Sequence, residues 1–241
     1  MFRTVKTFAY AFRLMIKKYP KEGKALVKAT EEGRIKDAEK IIVPIITEAM
    51  KGVNKRAGFE IEVLGEDRIP KEGPFVMVCN HQSYFDVCAL LSVVGTKRRF
   101  GVIAKKEVKK VGPLAKWMKG IGCVFIDREH PREAIKAIDE SVKVLEGGTP
   151  MAFFPEGTRS KSSTVGPFKT GVFKIVQRVK PIVIPISIEG TYLAMEANGN
   201  KIKPAKCKVV IGEPIDTKDY EREDFKALPN KLRDIIIENK G

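Results

Sequence analysis

The stretch Asn80-His81-Gln82-Ser83-Tyr84-Phe85-Asp86 holds two side chains that could move a proton together. A neutral imidazole accepts a proton near pH 7, and a fixed carboxylate can orient the ring and stabilise its cation. That is the chemistry of a general base. The spacing sets a condition. On a regular helix, residues five apart lie about 140° around the axis, so His81 and Asp86 can meet only if His81 precedes the helix. A second reading fits the same residues. Ser83 and Asp86 match S-x-x-D, a capping box in which the carboxylate satisfies amide donors at a helix start. Both readings stay open on this stretch alone.

The neighbouring elements must place the pair. Residues 75–79 are apolar, with β-branched Val76 and Val78, and predict a short buried strand. Val87, Leu90, Leu91 and Val94 then recur at helical spacing. His81 thus stands where a strand hands over to a helix, the edge at which α/β sheets usually bind ligands. Further strands are expected over 59–64, 99–104, 123–126, 150–154, 182–188 and 207–211. Helices are expected over 114–118, 132–145, 168–178 and 229–239. The alternation predicts an α/β fold, a mostly parallel sheet flanked by helices.

Composition narrows the classes. With 241 residues the chain can bury a large core, and 43% hydrophobic with 31% charged residues excludes a disordered protein. Cys79, Cys88, Cys123 and Cys207 are far apart, form no C-x-x-C pair and lie near apolar runs, as expected of reduced core residues in a cytosolic compartment. His81 and His130 are the only histidines, which excludes a His-rich metal site; no metal or cofactor is expected. A net charge of +15 points to a polyanionic partner: nucleic acid, an anionic membrane surface or a phosphorylated substrate.

The first twenty residues favour the membrane. Arg3, Lys6, Arg13, Lys17 and Lys18 stand there with no acid among them. Phe2, Val5, Ala9, Phe12, Ile16 and Tyr19 recur at steps of three and four, widened by Phe8 and Met15. This is the pattern of a basic amphipathic helix lying in a membrane interface, with Phe2, Phe8, Phe12, Arg13, Lys17 and Lys18 as the contacts. The alternative is a helix that packs the same stripe on its own core. No run reaches the ~18–20 uncharged apolar residues of a membrane span, and because charges interrupt any apolar h-region and no small-residue cleavage site follows, the stretch is not expected to be a signal peptide. Monotopic attachment to the cytoplasmic face of the cell membrane is therefore expected. Residues 21–33 read as a polar helix or linker. A helix over 35–56 contains Pro44, which should kink or divide it. The expected division is a helical membrane-associating segment, 1–57, and an α/β domain, 58–241, with Gly58 at the boundary.

Charge also gathers at the predicted strand ends. After 75–79 comes Asn80-His81, after 99–104 Lys105-Lys106, and after 123–126 Asp127-Arg128. After 150–154 comes Pro155-Glu156-Gly157-Thr158-Arg159-Ser160. If these strands are parallel, one edge carries a His, a carboxylate and several cations, which suits a phosphate held bidentately by Arg. For any single Arg, an ordinary surface ion pair is the plainer reading.

At these residues the chain resembles the glycerolipid acyltransferase family. Asn80 to Asp86 matches its H-x4-D block. Gly122-Cys123-Val124-Phe125-Ile126-Asp127-Arg128 is similar to the second block and Phe154-Pro155-Glu156-Gly157-Thr158-Arg159-Ser160 to the third. Ile184-Pro185-Ile186 with Gly190 is similar to the fourth. H-x4-D alone is a weak motif, but four blocks in order are specific. The bacterial 1-acylglycerol-3-phosphate acyltransferases are the most similar subgroup. The resemblance implies that His81 is the general base on the 2-hydroxyl of lysophosphatidic acid, and that Asp86 orients it. It implies acyl transfer from an acyl carrier protein or coenzyme A thioester without an acyl-enzyme. Arg128 and Glu156-Gly157-Thr158-Arg159 would bind the phosphate, with Glu156, Pro185 and Asn80 in support. Lys105 is added from its strand-end position. Pro185 would shape a wall of the site, and backbone amides near 155–158 would serve a developing oxyanion. Phe100, Val102, Ile103, Leu114, Trp117 and Ile121 could line an acyl groove or simply fill the core.

Three other readings remain. Glycerol 3-phosphate or another lysolipid could be the acceptor. Cys79 and His81, two apart on one strand face, could form a cysteine hydrolase. The charge could instead serve a non-enzymatic membrane- or RNA-binding protein, although aromatic-rich RNA motifs are missing and no nucleic acid is expected.

Overall fold

A computed structural model describes residues 2–127 and 130–240. Its strands are β1 (Phe59–Leu64), β2 (Phe75–Cys79), β3 (Gly101–Lys105), β4 (Val124–Ile126), β5 (Met151–Phe153), β6 (Ile182–Glu189), β7 (Ala205–Ile211) and β8 (Ile215–Asp216). Its helices are α1 (Phe2–Arg13), α2 (Pro20–Glu31), α3 (Ile35–Ala57), α4 (Phe85–Val93), α5 (Gly112–Gly120), α6 (Pro131–Glu146), α7 (Phe173–Val179) and α8 (Arg222–Glu238). The sheet order is β1-β7-β6-β2-β5-β3-β4, with β8 paired to β6. Strands β6, β2, β5, β3 and β4 are mutually parallel, while β7 runs antiparallel to β6 and carries β1 parallel to itself.

Alternation along the central strands sorts the core into two layers. Phe75, Met77 and Cys79 join Ile184, Ile186 and the α4 residues Phe85, Ala89 and Leu90 on one face. Val76 and Val78 join Leu145 of α6, Val176 of α7 and Leu232 of α8 on the other. Strands buried on both faces carry continuous apolar runs, which is why 75–79 shows no polar alternation. A third core joins Leu26 and Ala29 of α2, Ala38, Ile42 and Ile46 of α3, and Trp117 of α5. Arg99 braces this junction. It is buried, and its guanidinium donates to the Thr30 hydroxyl at 3.0 Å, the Gly120 carbonyl at 2.8 Å and the Thr149 hydroxyl at 2.6 Å. Burial pulls its pKa down to about 10.

Three local expectations are corrected. Pro44 does not divide its helix, which runs from Ile35 to Ala57. A mid-helix proline costs about 3 kcal/mol. Burying Ile42 and Ile46 in the third core contributes about 1.5–3 kcal/mol each, enough to offset it. Of the two readings offered for residues 21–33, the helix holds, as α2. The last helix starts at Arg222, two turns before Pro229, because Glu221 and Asp224 form a reciprocal capping box. Residues 99 and 100 also precede β3; Phe100 fills the core beside Arg99.

Helix α1 turns its phenylalanine stripe outward. Its contacts with α3 run through Tyr10, whose hydroxyl donates to the Glu48 carbonyl at 3.4 Å and whose ring lies 3.7 Å from the Arg56 guanidinium. Thr7 and, in the π-helical turn that follows, Leu14 are buried on the same side. Phe2, Phe8 and Phe12 face out, 72%, 47% and 38% exposed, and Val5 and Ile16 accompany them. Phe2, Phe8 and Phe12 therefore do not pack on the protein's own core, whereas Met15 and Tyr19, at the end of the stripe, pack against the third core. Arg13 and Lys17 are exposed beside it, whereas Lys18 is drawn to Glu48 at 2.6 Å, as is the Tyr19 hydroxyl at 2.5 Å. Among the described residues, no helix is long and apolar enough to cross a membrane.

The proposed acyl-groove residues do not line one groove. Phe100 and Val102 belong to the first core, Ile103 packs against the second, and Trp117 lies in the third.

Candidate active site

The site begins where β2 ends. Asn80 is fully buried and clasps β6: its amide donates to the Ile188 carbonyl at 2.8 Å and its oxygen accepts the Ile188 N–H at 2.7 Å. This side chain extends the β2–β6 pairing by one step, so the chain leaves the sheet at a fixed point. His81 follows in the loop, before α4, with its side chain 19% exposed. The geometric condition for contact with Asp86 is thus met.

Asp86 is fully buried in the first turn of α4. Its Oδ2 lies 2.6 Å from His81 Nδ1 and accepts the N–H groups of Gln82 at 2.7 Å and Ser83 at 2.9 Å. Its Oδ1 accepts a hydrogen bond from the Thr191 hydroxyl. The orienting and the capping readings are therefore both realised by one carboxylate. Ser83 meanwhile caps the next amide, accepting the Phe85 N–H at 3.0 Å. With Oδ2 acting as an acceptor, Nδ1 carries the ring proton and Nε2 is left as the basic nitrogen. The Phe154 ring, 4.3 Å away and tilted by 31°, supports the imidazole face.

The loop after β5 locks onto the histidine loop. Ser160 N–H donates to the His81 carbonyl at 2.8 Å, and Lys161 N–H to the Gln82 carbonyl at 3.2 Å. Glu156 points inward: its Oε1 accepts the His81 N–H at 2.6 Å and its Oε2 the Gly166 N–H at 2.9 Å. Burial pushes its carboxyl up, against the pull of those two amides. Glu156 is a strut and not a phosphate ligand, since an anion would be repelled by it. Gly157 has φ of +74°, a region costing about 1–2 kcal/mol for an L-residue with a side chain, and its N–H donates to the Phe154 carbonyl at 3.0 Å. That turn bond diverts one of the amides expected to serve an oxyanion. Thr158 is exposed.

Arg159 comes to the same place. Its Nη1 donates to Glu196 Oε1 at 2.6 Å, and its guanidinium lies 3.5 Å from the centre of the Tyr84 ring. Lys105 is exposed at the end of β3, on the same sheet edge. Next to it Lys106 pairs with Asp127 at 2.5 Å, and His130 lies 2.8 Å from that carboxylate. Arg128 lies outside the described residues.

Pro185 is not a wall of the site. It is buried inside the sheet, in register with Val78. It falls between the β6 residues that pair with β8 (Ile182, Val183) and those that pair with β7 (Ile186 onward). A missing N–H is tolerated at that gap, and the Pro185 carbonyl accepts the Gly212 N–H at 2.8 Å. Cys79 is fully buried, and burial pushes its thiol well up, Asp86 adding to the effect. A buried thiol of that kind is no nucleophile, which removes the cysteine hydrolase reading.

Phe154, Thr191, Glu196 and Tyr84 hold this arrangement together without having been singled out from the sequence. Thr191 lies 105 positions from Asp86, and Glu196 lies 113 from Ser83. The only available signal was Gly190, whose φ of +85° starts the turn that carries Thr191.

Residues 60–189 match the family model described as Acyltransferase. A probable 1-acyl-sn-glycerol-3-phosphate acyltransferase of Mycoplasma genitalium is 32% identical over 189 residues, covering 74% of this chain and 70% of the relative. The 1-acyl-sn-glycerol-3-phosphate acyltransferase alpha of Mus musculus is 32% identical over 186 residues, covering 75% of this chain. The chain spans 63% of that relative's length, less than two thirds. The crystal structure of a 1-acyl-sn-glycerophosphate acyltransferase from Thermotoga maritima shares the fold, with a TM-score of 0.80, 23% identity, and coverage of 99% of this chain and 94% of that one.

Proposed function

Because the chain belongs to the acyltransferase family, we propose that it transfers a fatty acyl group from a thioester to the free 2-hydroxyl of 1-acylglycerol 3-phosphate, giving phosphatidic acid. It is an acyltransferase, and the reading as a non-enzymatic basic protein falls with that membership. The names of its relatives support the acceptor. One observation carries the mechanism: Nδ1 of His81 is held by a buried carboxylate, which leaves Nε2 available as a base.

In this reading Nε2 takes the hydroxyl proton as the oxygen attacks the thioester carbonyl. The C–S bond breaks, the ester C–O bond forms, and the proton passes from the imidazolium to the departing thiolate. No acyl-enzyme forms. A positioned base of this kind contributes about 10²–10⁴ in rate. Asp86 fixes the tautomer and stabilises the imidazolium. Arg159, Lys105 and Arg128 bind the phosphate, beside Gly157 and Thr158. Acyl carrier protein or coenzyme A carries the acyl group.

Both lipids reside in a bilayer, so residues 1–57 are assigned to membrane attachment, monotopic and at the cytoplasmic face. The outward aromatic stripe of α1 with Arg13 and Lys17 supports this, as basic residues near an anionic surface contribute about 1 kcal/mol each. Purified wild type with lysophosphatidic acid and palmitoyl thioesters should form phosphatidic acid, and His81→Ala should not. Equal product from a folded His81→Ala protein would overturn the mechanism.

A further inference from the structure

After β6 the chain makes two short helical turns, Thr191–Ala194 and Glu196–Asn198. Ala194, Met195 and Ile202 of this segment are buried in the first core, and Lys203 N–H donates to the Ala194 carbonyl at 3.0 Å. The segment is thus a rigid brace. It holds out Glu196, whose side chain is only 1% exposed. The Glu196 carboxylate accepts three hydrogen bonds: from Arg159 Nη1 at 2.6 Å, the Ser83 hydroxyl at 2.5 Å and the Tyr84 N–H at 3.0 Å. Ser83 lies two residues from His81, so the base and the guanidinium are joined through one anchored side chain.

That link matters for the chemistry of the acceptor. Its reacting hydroxyl and its phosphate sit on adjacent carbons, so a base and a cation serving both must keep one separation. Arg159 is held at one nitrogen by Glu196 and on one face by Tyr84. A guanidinium has five N–H donors in a rigid fork, and those beyond Nη1 remain to grip a phosphate bidentately. Resting on the reading of Arg159 as a phosphate ligand, we propose that Glu196 is a positioning residue. It aims Arg159 at the phosphate of the acceptor and so makes the enzyme favour phosphorylated over uncharged acceptors.

The test combines binding and turnover on the purified full chain. Glycerol 3-phosphate is titrated by calorimetry, and kcat and KM are measured for lysophosphatidic acid and for uncharged 1-acylglycerol. Glu196→Ala should weaken glycerol 3-phosphate binding and raise KM for lysophosphatidic acid by about tenfold, within the range for side chains in contact. Its effect on kcat should be smaller, and kcat/KM for 1-acylglycerol should change less than about twofold. In an Arg159→Ala background the same substitution should cost nothing more. Glu196→Gln should recover most of the loss, because its oxygen can still accept from Arg159 and Tyr84 while its amide donates to Ser83. If Glu196→Ala does not fold, Glu196→Thr with and without Arg159→Ala supplies the same cycle. Additive losses, equal losses for both acceptors, or no glycerol 3-phosphate binding by wild type would overturn the assignment. Wild-type binding coupled to Glu196 but without acyl transfer would sink the proposed reaction and leave the role of Glu196 standing.

Discussion

Oδ2 of Asp86 lies 2.6 Å from Nδ1 of His81 while accepting two main-chain amides at the start of α4. The proposed chemistry and the fold therefore meet on one atom, and substitutions of the two residues should separate them. His81→Ala leaves Asp86 with three donors, so its unfolding midpoint should stay close to wild type while transfer falls about 10²–10⁴-fold. Asp86→Asn sets an NH2 group or a single oxygen against several buried donors, so it should lose activity and also about 1–3 kcal/mol of stability. Urea unfolding beside the transfer assay measures both. An Asp86→Asn protein as stable and as active as wild type would refute the shared role.

The Glu156 carboxyl offers a pH signature. Burial raises its pKa in the native state above the ordinary glutamate value. Between those two values the native state binds more protons than the unfolded chain, so this residue's contribution to stability is full below the window and is lost as pH rises through it. Glu156→Gln should remove that part of the slope. It should also lower stability overall, because an amide cannot accept from both His81 and Gly166. Denaturant midpoints of the two proteins at several mildly acidic pH values provide the comparison, and parallel curves would contradict the prediction.

The cysteines should be quiet. Burial pushes the thiols of Cys88, Cys123 and Cys207 up to about 12, and that of Cys79 upward as well. Native protein at pH 8 should react slowly with a thiol reagent, with half-buried Cys88 first, and all four should react promptly in denaturant. Cys79→Ala should keep its transfer activity and lose about 1 kcal/mol of stability. Loss of activity in a folded Cys79→Ala protein would reopen the thiol chemistry.

The stripe on α1 can be altered without touching the core. Replacing Phe2, Phe8 and Phe12 together by Ser should leave thermal stability nearly unchanged, since all three are exposed. Burying one Phe contributes about 1.5–3 kcal/mol, so partitioning onto anionic vesicles should fall by at least about a hundredfold. Added salt should weaken the remainder, through Arg13 and Lys17. Undiminished vesicle flotation of the triple variant would defeat the membrane assignment.

Much of this was readable from the residues. The family resemblance and the α/β fold are borne out, because buried parallel strands leave continuous apolar runs that survive in any sequence. The reversal of β7 was not readable, since an apolar strand looks the same in either direction. The beginning of α8 was missed because Pro229 mimics a first helical residue, while the true cap is a glutamate, an uncommon choice. In the candidate site, the motif residues could be named from the sequence and their supports could not. Nothing near Thr191 or Glu196 in sequence says that they reach Asp86 and Arg159; that is decided by the end of β6 and by the core residues that anchor the brace.

The guanidinium of Arg99 makes the helical front inseparable from the sheet. Cutting the chain at Gly58 would strip the Thr30 hydroxyl from a cation already short of partners and would leave the Trp117 indole facing water. A variant that tests the proposed attachment to lipid must therefore be made by recolouring the outer surface of the first helix, residue by residue, with the length of the polypeptide kept intact.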